Sequence, residues 1–131
     1  MLKREVESGT GGRVVVVDSI TQLTPADAGA MVVSASHGGV SSGEVALAFS
    51  LAAVFFNDAG VGKDDAGTAA LAMLQANGVP AGTVSHTSAR IGDAADMWSN
   101  GMISHVNLAA RKLGVEPGSS LRATLVRIVA R

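Results

Sequence analysis

Cysteine is absent from the 131 residues, and so is tyrosine. The first absence excludes disulfides, thiolate chemistry and cysteine-bound zinc, and it fits a reducing compartment. Aromatic side chains are few: Phe49, Phe55, Phe56 and Trp98 are the whole set. Alanine, valine and leucine must therefore fill the core. An excess of charge of one sign is also missing, with 10 Lys and Arg against 11 Asp and Glu. Without a basic stripe there is no electrostatic footprint for nucleic acid. No apolar run approaches the roughly 18 uninterrupted residues of a membrane span, and MLKREVESGTGGR at the start has no signal-peptide core. The expected setting is the cytoplasm, with neither membrane nor nucleic acid as partner.

What remains is apolar and glycine-rich. Hydrophobic residues make up 47% against 16% charged, which argues for a folded domain over disorder. The length suits one domain with a true core. A mean hydropathy of +0.35 is high for so short a chain. It leads to the expectation of a homo-oligomer that covers apolar helical surface.

Residues 1–12 read as a loose, charged leader before a single α/β domain over 13–131. RVVVVDSI, AMVVSAS, AVFF and AGTVSHTS are the expected strands. TPADAG starts a very short helix, with Thr24 as N-cap, Pro25 in the first position and Gly29 as the stop. SSGE reads as a capping box, Ser41 with Glu44, opening the helix VALAFSLAA. Asp64 or Asp65 would cap AGTAALAMLQAN, which Gly78 ends. Asp93 would cap a helix through Trp98, with MISHVNLAARKL also helical up to Gly114. In the tail, Leu121, Leu125, Ile128 and Val129 have amphipathic-helix spacing. The pattern predicts a mostly parallel open sheet of about four strands with helices on both faces, a Rossmann-like three-layer sandwich.

Three polar stretches follow strands and lead into helices: SASHGGVSS, NDAGVGKDD and SHTSARIGD. In an open parallel sheet such loops emerge together at the carboxyl edge, where ligands bind. Helix N-termini there present unpaired N–H groups to phosphate or carboxylate. The expectation is that the three loops build one site.

GVSSG matches the G-x-S-x-G nucleophile elbow, with Ser41 as nucleophile. SHGGV separates it from the strand, however, so a capping role is preferred. GKDDAG ends like a phosphate-binding P-loop, but Asn57 occupies the first glycine position and Asp64 the Ser/Thr position. A carboxylate there repels triphosphate, which excludes an NTPase. GGVSSG fails the dinucleotide pattern at Val40.

His37 and His86 each follow a strand and suit general acid–base work, against the alternative of bonding loop backbone. His105 reads as a structural helix residue. Asp58 is either a loop-bracing Asx turn or a catalytic carboxylate. Lys63 and Arg90 suit an anion, unless they are simply solvated or Arg90 pairs with Asp93 or Asp58.

The predicted catalytic set is thus His37, Asp58 and His86. Gly38, Gly39, Ser41, Asn57, Lys63, Ser85, Ser88 and Arg90 are the expected substrate contacts. No cofactor is predicted, and a divalent metal on the histidines with Asp58 and Asp93 stays open. The leading reading is an enzyme acting on a compact anionic metabolite by acid–base chemistry. Hydrolysis is preferred over elimination or isomerisation because of the nearby serines. The alternative is a non-catalytic ligand-binding or assembly subunit using the same loops.

Overall fold

Six strands pair in the order in which the chain makes them: β1 (Lys3–Gly9), β2 (Gly12–Val17), β3 (Met31–His37), β4 (Ala53–Asn57), β5 (Ala81–Val84) and β6 (Ile103–Val106). The computed structural model describes residues 1–131. The four central strands are parallel, while β1 on β2 and β6 on β5 are antiparallel. The α/β class with helices on both faces holds. The sheet is nevertheless six-stranded and mixed, not the mostly parallel four-strand Rossmann-like sandwich the sequence suggested.

Alternate residues of the central strands bury into opposite faces. Val15, Val17, Val32, Val54 and Phe56 pack under α1 (Val40–Leu47) and α2 (Ala70–Ala76). Val14, Val16, Met31, Val33 and Phe55 pack under α3 (Ala94–Asn100), α4 (Leu108–Lys112) and α5 (Leu121–Val129). Phe55 and Phe56 are fully buried on opposite sides. Each such side chain contributes about 1.5–3 kcal/mol of burial free energy. No helix is long and apolar enough to cross a membrane.

The stretch read as a loose leader is edge strand β1, closed on β2 by a turn at Thr10 and Gly11. Its side chains are largely exposed, and charged side chains at a sheet edge discourage pairing with other chains. Lys3 also reaches Asp27 at 2.8 Å. Further expectations change. ISHV is strand β6 rather than helix, with Asn107 capping α4 by accepting from the Ala110 N–H. The cap of α1 is Gly39, so Ser41 sits inside the first turn and forms no capping box. Asp64 and Asp65 do not cap α2 either; its N-cap is Ala69. Asp93 caps α3 as expected, accepting from the Asp96 N–H at 2.9 Å, and the tail is helical as α5.

Candidate functional site

The carboxyl ends of β2 to β5 share one edge, and a single segment crosses it. From β5 the chain runs back over its neighbours toward β2 before entering α3. Each strand on the way fastens it. Asn57 at the end of β4 donates to the Ala89 carbonyl at 2.8 Å. The carbonyl of Ala35 in β3 accepts from the Gly92 N–H at 2.9 Å. Asp18, just past β2, accepts from the Ala94 N–H at 2.8 Å. This strap, residues 85–93, divides the edge into two regions.

On the β5 side Asp58 is the centre. Its side chain is only 6% exposed and lies 3.5 Å from His86 Nδ1 and 3.9 Å from His105 Nδ1. One carboxylate thus faces two imidazoles, which are 55% and 46% exposed. In each ring the nitrogen within 4 Å of the carboxylate is Nδ1. Asp58 Oδ1 also accepts from the N–H groups of Gly60 at 2.8 Å and His86 at 3.1 Å. Burial opposes its ionisation. The N–H groups of Gly60 and His86, the Ser104 hydroxyl and the His86 charge outweigh that, so the carboxyl lies below its usual range. His86 and Arg90 also line a cleft of about 290 Å³ with Ser88 and Asp96.

The loop after β4 is unusual in its backbone. Ala59, Val61, Asp64 and Asp65 all have φ between 51° and 68°. A β-branched residue such as Val61 is a rare occupant of that region. The loop closes on itself where the Gly67 N–H donates to Val61 O, and the Asp58 N–H ties its start to β5 by donating to Val84 O at 2.9 Å.

On the β2–β3 side, His37 lines a separate cavity of about 400 Å³ with Asp18, Ser41 and Ser42. His37 and Asn57 are register partners, as are Asn57 and Val84. His37 and β5 therefore lie two strand spacings apart, about 10 Å. The two histidines share the edge, but each opens onto its own cavity.

No protein-family model, curated protein or solved structure matches the chain. Function has to be argued from the site itself.

The structure assembles the expected residues selectively. Asp58, His86, Ser88 and Arg90 gather on the β5 side, and His37 and Ser41 on the other. Gly38 and Gly39 are close-packing positions: a Cβ on Gly38 would sit 2.5 Å from Gly67 O, and one on Gly39 2.6 Å from His37 Nε2. Asn57 is fully buried, and its amide serves Ala89 O and Ala59 N. Ser85 and Ser88 bond each other at 2.9 Å, and Ser88 also accepts from the Met102 N–H. These serines brace a turn. Lys63 is exposed and lines neither cavity. No three histidine, aspartate or glutamate side chains are grouped to hold a metal ion.

Sequence reasoning missed His105, Ser104 and Thr83, which meet on adjacent strands: Thr83 Oγ1 lies 2.9 Å from Ser104 Oγ and 3.3 Å from His105 Nδ1. The alternation in ISHV was the available signal.

Three carboxyls that bind partners far away in the chain are held below their usual range. For Asp18 the N–H groups of Ala94 and Leu2 cause it. Asp27 is pushed up by burial, but Lys3 and the Thr24 N–H prevail. Asp58 is the third. A depressed folded pKa gives stability that is present above the unfolded value and lost as pH falls through the folded one. The urea midpoint should therefore hold from neutral pH down to about pH 5 and decline below about pH 4. Asp58→Asn, already weaker at neutral pH, should decline less steeply. Equal wild-type midpoints at pH 7 and pH 3 would contradict this account.

Proposed function

We propose that this chain is an enzyme that moves protons on a compact anionic metabolite, using Asp58, His86 and His105. The observation that carries the reading is the buried Asp58 carboxylate between two half-exposed imidazoles. With Nδ1 toward the carboxylate, a neutral imidazole offers Nε2 as a base. The imidazolium formed is then stabilised by Asp58. Two such rings let one withdraw a proton while the other delivers one. That division of labour suits elimination or isomerisation.

Hydrolysis has less support. The hydroxyls of Ser85 and Ser88 are engaged in their turn, and Ser41 lies across the strap. Arg90, beside His86 in the smaller cleft, is the cation available to a carboxylate or phosphate.

The test is solvent exchange. Wild-type protein is incubated in D2O with a panel of small 2-oxo and 2-hydroxy acids, and deuterium entry at carbon is followed by NMR. At least one acid should exchange, with a bell-shaped pH dependence. His86→Gln and His105→Gln should each slow exchange by about 100-fold or more, the usual scale of a lost general acid or base. Exchange at an unchanged rate in the double variant would remove the proposal.

A further inference from the structure

Strand β6 meets β5 with a fault in its register. Thr83 pairs with His105 and Val84 with Ile103, so Ser104 has no partner across the ladder. In a regular strand Ser104 and His105 would face opposite sides of the sheet. The bulge brings both to one oxygen, Thr83 Oγ1, at 2.9 Å from Ser104 Oγ and 3.3 Å from His105 Nδ1. Thr83 is wholly buried, and these two side chains are the hydrogen-bond partners of its hydroxyl. Its neighbours in β5, Ala81, Gly82 and Val84, carry no polar side chain. A valine of the same branched shape would suit the strand equally.

Counting protons gives the cluster a direction. Each hydroxyl has one proton to donate, whereas an ionised carboxylate only accepts. His105 Nδ1 faces Thr83 Oγ1 and Ser104 Oγ at 3.3 Å each and Asp58 Oδ2 at 3.9 Å. The Ser104 hydroxyl donates to the Asp58 carboxylate or to Thr83 O at 3.3 Å. Either way it has no proton left for Thr83 Oγ1, and accepts from it. Thr83 in turn has none left for the ring, and accepts from Nδ1–H. The reverse order is costly. If Thr83 gave its proton to a bare Nδ1, Ser104 would have to fill the 2.9 Å contact and abandon Asp58. The Nδ1 lone pair would also face the carboxylate.

We infer that Thr83 and Ser104 are positioning residues that hold His105 in its Nδ1–H tautomer, with Nε2 as the free lone pair. His86 has Asp58 beside its Nδ1 but no such hydroxyls. Of the two imidazoles, His105 is therefore the one kept ready to withdraw a proton, and His86 the one that returns it. This division of roles rests on the proton-transfer reading above, whereas the tautomer does not.

Long-range ¹H–¹⁵N NMR reads the tautomer without any substrate. At about pH 9, above the ordinary range of an imidazole, wild-type His105 should carry its proton on Nδ1, opposite to the preference of free histidine in water. Thr83→Val should return the ring toward the Nε2–H form, and Thr83→Ser should keep the wild-type pattern. Ser104→Ala should act like Thr83→Val, because Thr83 then has its proton free for the ring. In the deuterium-exchange assay, Thr83→Val should lower kcat about 10-fold or more with KM little changed, and Thr83→Ser should restore it. Wild-type His105 in the Nε2–H form overturns the inference, whether or not the variants fold. So does a Thr83→Val protein with the wild-type tautomer. A moved tautomer with unchanged exchange removes His105 as the base. If wild-type protein exchanges none of the acids, the proton-transfer reading falls and the role of base with it, while the tautomer still stands or falls on the spectra.

Discussion

Gly67→Ala is expected to destabilise the protein by about 3 kcal/mol or more, because the new methyl has nowhere to go. Its Cβ would lie 1.9 Å from Asp58 O, 2.9 Å from Asp58 C and 3.0 Å from Val61 O. All three are backbone atoms, so no rotamer change relieves the clash. Moving Asp58 aside breaks further bonds, since its N–H is bonded to Val84 O at 2.9 Å and its side chain to Gly60 and His86. On the other side, Gly67 O already fills the place of a Gly38 Cβ.

The comparison variant is Gly78→Ala. Gly78 has φ +72° with nothing within 4 Å of where the new methyl would lie, so only the backbone penalty of about 1–2 kcal/mol applies. In thermal melts, the Gly67→Ala loss should correspond to about 10 °C or more. A melting temperature no lower than that of Gly78→Ala would show that the loop after β4 is not wedged as described. Because the same clash displaces Asp58, His86 should lose its fixed carboxylate neighbour in any folded fraction.

Asn57→Asp should cost about 3 kcal/mol at neutral pH, although the side chain keeps its shape. Asn57 is fully buried and uses both halves of its amide. Nδ2 donates to Ala89 O at 2.8 Å and points toward Met97 Sδ at 3.6 Å, while Oδ1 accepts from Ala59 N–H at 2.8 Å. A carboxylate keeps the second bond and turns the first into two acceptors facing each other. It is also buried next to the ionised Asp58. The protonated acid, by contrast, can donate to Ala89 O.

The introduced group therefore has a folded pKa above its unfolded value of about 3.9. Relative to wild type, the variant should recover below that pH, and the full loss should appear only above the raised folded pKa. Paired urea titrations at pH 3.5, 5 and 7 measure the difference. A loss that is equal at all three would mean the amide is not the tie between β4 and the strap.

The central strands were legible because they are buried on both faces. RVVVV, MVV and AVFF need no polar alternation, and sequence patterning finds such runs readily. The edge strands obey a different requirement. KREVESG keeps its charges in solvent, and ISHV has little apolar length, so both resemble something other than strand. The N-cap of α1 was misplaced by two residues because Gly39 ends the strand connection without any side-chain signal. That shift brings Ser42, not Ser41, under cover.

The candidate site was legible as loops but not as a partition. Glycines and polar residues after strands correctly marked the carboxyl edge. Which way the 85–93 segment travels is a tertiary fact, set by Asn57, Ala35 and Asp18. His105 was hidden for a related reason: an antiparallel strand carries it past Asp58 from the far end of the chain.

The strand order has a bearing on biosynthesis. Since every strand pairs with its immediate predecessor in sequence, the sheet can lengthen one strand at a time as the chain leaves the ribosome. Its cover cannot keep pace. Val14 and Val16 belong to the core that is closed by Leu121, Leu125, Ile128 and Val129, all made after every strand of the sheet. The tip of the first hairpin is fastened to the same late helix, with Gly11 N–H donating to Val129 O at 2.8 Å. A nascent chain halted before Leu121 thus carries all six strands with one apolar face covered only by α3 and α4, a natural client for a chaperone until translation supplies α5.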